Sequence, residues 1–195
     1  MPLPSILRRV TDFVLDAPRS RVRLQTFAEG LLARLAHDLE LVCGDLSGTA
    51  FSGDHGEPTS GKASIEAPLG GITVSGVLGK DGRIDERGLS ANEKSDAVTK
   101  MHHDVFHAGK DGVVRVEVQL DGGSARVRIA PPRGKLVEIV VDPEVRMEGE
   151  ALRATGAFEV SLAALGSDVV KGPMNAFRVK DKVKVLFDLA FRRPG

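Results

Sequence analysis

The chain has 195 residues, 42% of them apolar, with a mean hydropathy of −0.07. That composition suits one folded domain and excludes a disordered chain or one that crosses a membrane by long apolar helices. Lys plus Arg and Asp plus Glu number 27 each, so no long-range field attracts nucleic acid or an acidic membrane surface, and a nucleic-acid partner is not expected.

The segment MPLPSILRRVTDFVLDAPRS carries charges that break its apolar stretches before a signal-peptide core can form, and no transmembrane segment is expected, so the location expected is cytoplasmic. Residues 1–13 read as an N-terminal extension with a short helix over about residues 4–12, because Ile6, Val10, Phe13 and Val14 stand at helical spacing. From residue 14 to residue 192 we expect one domain built of strands. Period-two alternation appears first in RVRLQTFA, HDLELVCGDLSGTAF, GKASIEA and GITVSGVL. SANEKSDAVTKMHHDVFHAG then reads as a helix over about residues 90–108: Ser90 and Glu93 make a capping box, and Gly109 is a natural stop. Its stripe of Ala97, Val98, Met101, Val105 and Ala108 should face the core. Alternation returns in GVVRVEVQL, SARVRIA, ALRATGAFEVSL and KVKVLFDLAF, where Val183, Val185, Phe187, Leu189 and Phe191 share one face.

The turn signals between most strands, such as DGG at 121–123, are too short for crossover helices. The fold class expected is therefore mainly β: a single antiparallel eight-stranded barrel, with the 90–108 helix packed against it.

Candidate chemistry is sparse. His103 and His107 stand four apart, the spacing that places two zinc ligands on one helix face. That face is opposite the apolar stripe, beside Lys100 and Lys110, and His102 falls between the two faces. A solvated helix surface is the reading preferred, with a metal-binding protein using His102, His103 and His107 as the alternative. The glycines of GGITVSGVLGKDGR lack phosphate-loop spacing, and the adjacent His37 and Asp38 point to opposite faces of a strand, so Asp38 cannot orient His37. Cys43 sits in an alternating run and reads as a small buried hydrophobe. No catalytic residue is assigned, no cofactor is expected, and the protein reads as a non-enzyme.

Small residues at apolar-face positions, Gly76, Ala154 and Gly156 among them, should leave volume inside the barrel for an elongated apolar ligand. The lining expected from the strand faces is Leu24, Leu39, Leu41, Ile72, Val74, Val116, Val118, Phe158, Val160, Val185, Phe187 and Leu189. The rival to this carrier reading is a filled-barrel interaction module, whose ILRRVTDFV segment docks a partner or forms a homodimer.

Four stretches carry a family resemblance: VLDAPRSRVRLQT at 14–26, GLLARLAHDLELV at 30–42, DVFHAGKDGVVRVEV at 104–118, and LRATGAFEVSLAALGSDVVKGPMNAFRVKDKVKVLFDL at 152–189. In order and spacing they resemble the YceI-like proteins, lipocalin-like antiparallel barrels. The resemblance covers about residues 14–191 and implies a polyisoprenoid or isoprenoid-quinone ligand in the barrel. Two features depart from the family pattern: PPRGK at 131–135 stands where a Gly-Val-Thr-like turn is usual, and the helix carries histidines. Relatives often carry an export signal.

Overall fold

The computed structural model describes residues 11–30, 36–52, 59–172 and 175–194. The expected helix over 4–12 lies mostly outside them, but its end does not. Thr11–Leu15 form a strand, β1, with Phe13 only 2% exposed, so the sheet begins ahead of residue 14. The strands that follow are β2 (Arg21–Thr26), β3 (Ala28–Glu29), β4 (Leu39–Cys43), β5 (Ser47–Ser52), β6 (Ser60–Pro68), β7 (Ile72–Leu78) and β8 (Ile84–Asp85). Helix α1 (Ala91–Lys100) leads to β9 (Val113–Asp121), β10 (Ser124–Ala130), β11 (Val137–Val141), β12 (Glu144–Glu148) and β13 (Ala151–Ser161). A single helical turn, α2 (Leu162–Leu165), precedes β14 (Arg178–Val179) and β15 (Lys182–Arg192).

All pairings are antiparallel, as the short turns require. The β9–β10 hairpin closes through Gly122 and Gly123 at φ +59° and +87°, a pair that a primed two-residue turn demands and that glycine supplies without steric cost.

The expectation of a closed eight-stranded barrel is corrected. Thirteen strands form one curled sheet whose main path runs β11-β10-β9-β6-β5-β1-β15-β2-β4-β7-β8, with β13 and β12 attached to the other edge of β15. Among the described residues no ladder joins the two ends of that path. The reason lies at β15. One edge pairs with β13 from Leu152–Phe191 to Ser161–Lys182, while the other is shared by β2, up to Arg21–Asp188, and β1, from Leu15–Phe191. Between β1 and β2 a short turn at Ala17–Arg19 contains Pro18, which has no N–H for a ladder. Ser20 stitches the gap: its Oγ accepts from Ala190 N at 3.0 Å and donates to Asp16 O at 2.8 Å. The sheet therefore forks into two wings, β2-β4-β7-β8 and β1-β5-β6-β9-β10-β11, and curls without closing.

Helix α1 begins as expected. Glu93 N donates to Ser90 Oγ (3.3 Å), while the Ser90 hydroxyl (2.7 Å) and Ser90 N (2.8 Å) donate to Glu93 Oε2, and these two bonds, the hydroxyl's first, hold the Glu93 carboxyl below its ordinary range. The expected helix over 90–108 is regular only to Lys100, but its apolar stripe still faces the core: Ala97 and Val98 of α1, with Met101 and Ala108 beyond it, press on the cluster containing Leu41, Cys43, Ile72 and Val74, and Val105 is buried there. Lys94 ties the helix to β7 by donating to Ser75 O (3.1 Å). A second cluster, with Ala125, Val127, Ile129, Val141, Val160, Val183 and Val185, fills the other side of the sheet's interior.

Candidate functional site

The two clusters do not meet completely. Between them lies a cavity of about 180 Å³, walled mainly by inward side chains of β5, β6, β9, β10, β13 and β15. Alternation sets which residues reach it. On β9, Val116, Val118 and Leu120 point in while Arg115, Glu117 and Gln119 point out, and on β10 Ala125 and Val127 alternate with Arg126 and Arg128. Room is left because β5 and β6 present small side chains, Ala50, Ala63 and Ala67, where a packed barrel would carry leucine or isoleucine. The volume exceeds the ~150 Å³ of an engineered cavity that stays dry and accepts benzene, and is smaller than a pocket for a bulky ligand.

Six of the expected lining residues border this cavity: Val116, Val118, Phe158, Val185, Phe187 and Leu189. The rings of Phe158 and Phe187 meet at 6.2 Å between centroids and 47° between planes, a tilted aromatic contact. The other six do not border it. Leu41, Ile72 and Val74 are buried, and Leu24 and Leu39 half-buried, in the cluster that receives α1; Val160 belongs to the second cluster. They face inward as their alternation predicts, but a helix or a neighbouring strand fills the space before them. Of the small residues named for volume, only Ala154 provides it. A Cβ at Gly156 would stand 2.6 Å from Phe187 Cζ, and one at Gly76 2.8 Å from the Asp85 carbonyl carbon, so both spaces are already taken.

The histidines are not gathered. The helix ends at Lys100 and continues as a wider π-type turn over Met101–Val105, with Phe106 N donating to Met101 O at 3.2 Å. The i, i+4 relation between His103 and His107 is thereby lost. His103 is exposed; His102 Nε2 donates to Leu69 O (3.1 Å) and His107 Nε2 to Gly166 O (3.1 Å). His107, placed in solvent by the helical wheel, is instead half-buried at φ +47°, with Nδ1 3.9 Å from Asp168 Oδ2. Asp104 pairs with Lys100 at 3.2 Å. Among the described residues no group of three or more His, Cys, Asp or Glu side chains is arranged to hold a metal ion.

Asp38 has a structural role: its Oδ1 accepts from Ala28 N at 2.8 Å. Glu40, 4% exposed, is a buried carboxylate that periodicity does not reveal; Gln25 Nε2 donates to it at 3.0 Å and Arg23 lies 3.7 Å away. Behind the aromatic pair, Arg153 grips Asp188 through two hydrogen bonds of 2.7 and 2.6 Å, which hold the Asp188 carboxyl below its ordinary range and tie β13 to β15. Cys43 is 7% exposed, and burial pushes its thiol up to about 12. At pH 8 the native protein should therefore react with a disulfide reagent far more slowly than the urea-unfolded chain; equal rates would show that Cys43 is accessible.

A curled antiparallel sheet around an apolar cavity is a barrel-like architecture. Among solved structures the chain is similar to BcnA of Burkholderia cenocepacia, a YceI-like protein, with a TM-score of 0.61 and 16% identity over 90% of this chain and 98% of that one. At that identity the likeness establishes the fold. No family model and no curated protein sequence matches the chain. No helix among the described residues is long and apolar enough to cross a membrane.

Proposed function

We propose that this is a non-enzymatic binding protein that holds an elongated apolar ligand, an isoprenoid or isoprenoid-quinone-like lipid, in the cavity between its two core clusters. The observation that carries the reading is the cavity: about 180 Å³ left open in an interior otherwise packed, with walls of alanine, valine, leucine and phenylalanine. The family resemblance of four sequence stretches supports the lipid class, and the fold shared with BcnA supports a barrel-like architecture able to enclose a ligand. A filled-barrel interaction module requires an interior without such a space, and Phe13 and Val14, offered for docking in that reading, are committed to β1.

The energetics suit a slender hydrocarbon. Burying about 300 Å² of apolar ligand surface is worth ~7 kcal/mol before the cost of immobilising the ligand, which limits affinity to a modest value and makes it rise with chain length. The expected result is a stoichiometric adduct in the native mass spectrum of protein purified gently from a lipid-containing host, extractable as a long-chain isoprenoid. A bare mass that persists after incubation with quinones would overturn the proposal.

A further inference from the structure

The cavity wall contains one polar side chain whose need is unmet. Ser52 ends β5 on its inward register, two residues after buried Ala50 and next to the outward Phe51, and is itself only 5% exposed. Its hydroxyl is buried with no hydrogen-bond partner among the described residues, the one such side chain found there. A buried orphan hydroxyl destabilises the protein that carries it, and alanine would fit the same backbone at no such cost. Its position offers a reason. The strand registers set Ser52 in a row with Gly61, Leu120, Ala125 and Val141, the last inward row before the β9–β10 turn, and all five border the cavity. Across from Ser52 stands Gly61, with no side chain to meet the hydroxyl.

We infer that Ser52 is the polar anchor of the cavity: a rotation of its side chain about Cα–Cβ turns the hydroxyl, closed off within the wall, toward a ligand, where it donates a hydrogen bond to, or accepts one from, a single uncharged oxygen on an otherwise apolar molecule, an alcohol or carbonyl rather than a carboxylate or phosphate. A serine hydroxyl serves as donor or acceptor, so it matches either neutral group. The choice against an anion follows from the wall, where among the described residues no cation points inward. Lys62 borders the same end, but on the outward register of β6 with an exposed side chain. An ionised head in this apolar end would be desolvated without a partner.

This inference rests on the carrier reading, and the test separates the two. Dodecanol, dodecane and dodecanoate are each used to displace the fluorescent probe N-phenyl-1-naphthylamine from the wild-type protein, Ser52→Ala and Ser60→Ala. Ser60 is the hydroxyl residue that borders the same end of the cavity. The result expected is that Ser52→Ala weakens dodecanol about three- to tenfold, leaves dodecane unchanged and does not lower the melting temperature, because no native hydrogen bond is removed. Ser60→Ala should bind all three as the wild type does. Equal effects of Ser52→Ala on dodecanol and dodecane, a dodecanol effect found only in Ser60→Ala, or wild-type preference for dodecanoate would each overturn the anchor while leaving the cavity's carrier role intact. Failure of all three to displace the probe from the wild-type protein would overturn both.

Discussion

Replacing Phe13 with alanine is expected to remove about 3–5 kcal/mol of stability, a large share of the 5–15 kcal/mol that holds a typical domain. Phe13 is 2% exposed, lies opposite Ala50 in the β1–β5 ladder, and belongs to the cluster that contains Leu15, Leu152 and Phe191. Its loss would leave a void where β1 passes from the β15 edge to the β5 wing, and small neighbours such as Ala50 cannot swell to fill it. Urea unfolding followed by far-ultraviolet circular dichroism measures the effect, since the chain has neither tryptophan nor tyrosine for fluorescence. A loss below about 1 kcal/mol would mean that the N-terminal strand is dispensable and that residues before 14 are the extension their helical spacing suggests.

That contrast shows which parts of the molecule are legible in its sequence. Strands with one apolar and one charged face, such as β9, β10 and β15, are read correctly because water and core impose opposite demands on alternate residues. β1 hides because Val14, on the outward register, is as apolar as inward Phe13 and Leu15, and a five-residue run then matches helical spacing equally well. β11 hides similarly behind Val140, which is apolar yet 71% exposed. The start of α1 is legible from a capping box, a local device; the π-type turn that separates His103 from His107 has no comparable residue signature, so helical geometry extended too far.

The cavity was half legible for a different reason. Alternation tells which side chains point inward, and Val116, Phe158 and Leu41 all do; it does not tell what stands opposite them. Leu41 meets the cluster under α1, whereas Val116 and Phe158 meet space. The walls missed are those of β5 and β6, read as strands by their alternation but left out of the lining because most of their inward residues are small. The signal was nevertheless present, since Ala50 and Ser52 on one strand and Gly61, Ala63 and Ala67 on the next keep the period of two. A run of small residues at alternate positions on adjacent strands marks where a β interior has been left hollow.

Filling that hollow should abolish binding without harming the fold. Ala63 sits in the middle inward row, between Ala50 on β5 and Val118 on β9, and all three border the cavity. In a close-packed interior a phenylalanine there would cost about 1–3 kcal/mol through displaced neighbours. Here the ring has about 180 Å³ to enter, and the contacts it makes offset the strain, so stability should stay within about 1 kcal/mol of the wild type or rise. Affinity for a lipid or for a fluorescent apolar probe should fall at least ~10-fold, because the ligand must compete with a covalently held side chain for the same volume. Measured together, the two quantities discriminate: lost binding with retained stability identifies the cavity as the ligand site, whereas lost stability with retained binding would place the ligand elsewhere and show that this interior closes on itself. The position matters as much as the size of the residue. At Gly156, where a new Cβ would meet the Phe187 ring, even a methyl group has no void to enter, so enlargement there disturbs the fold rather than tests the cavity.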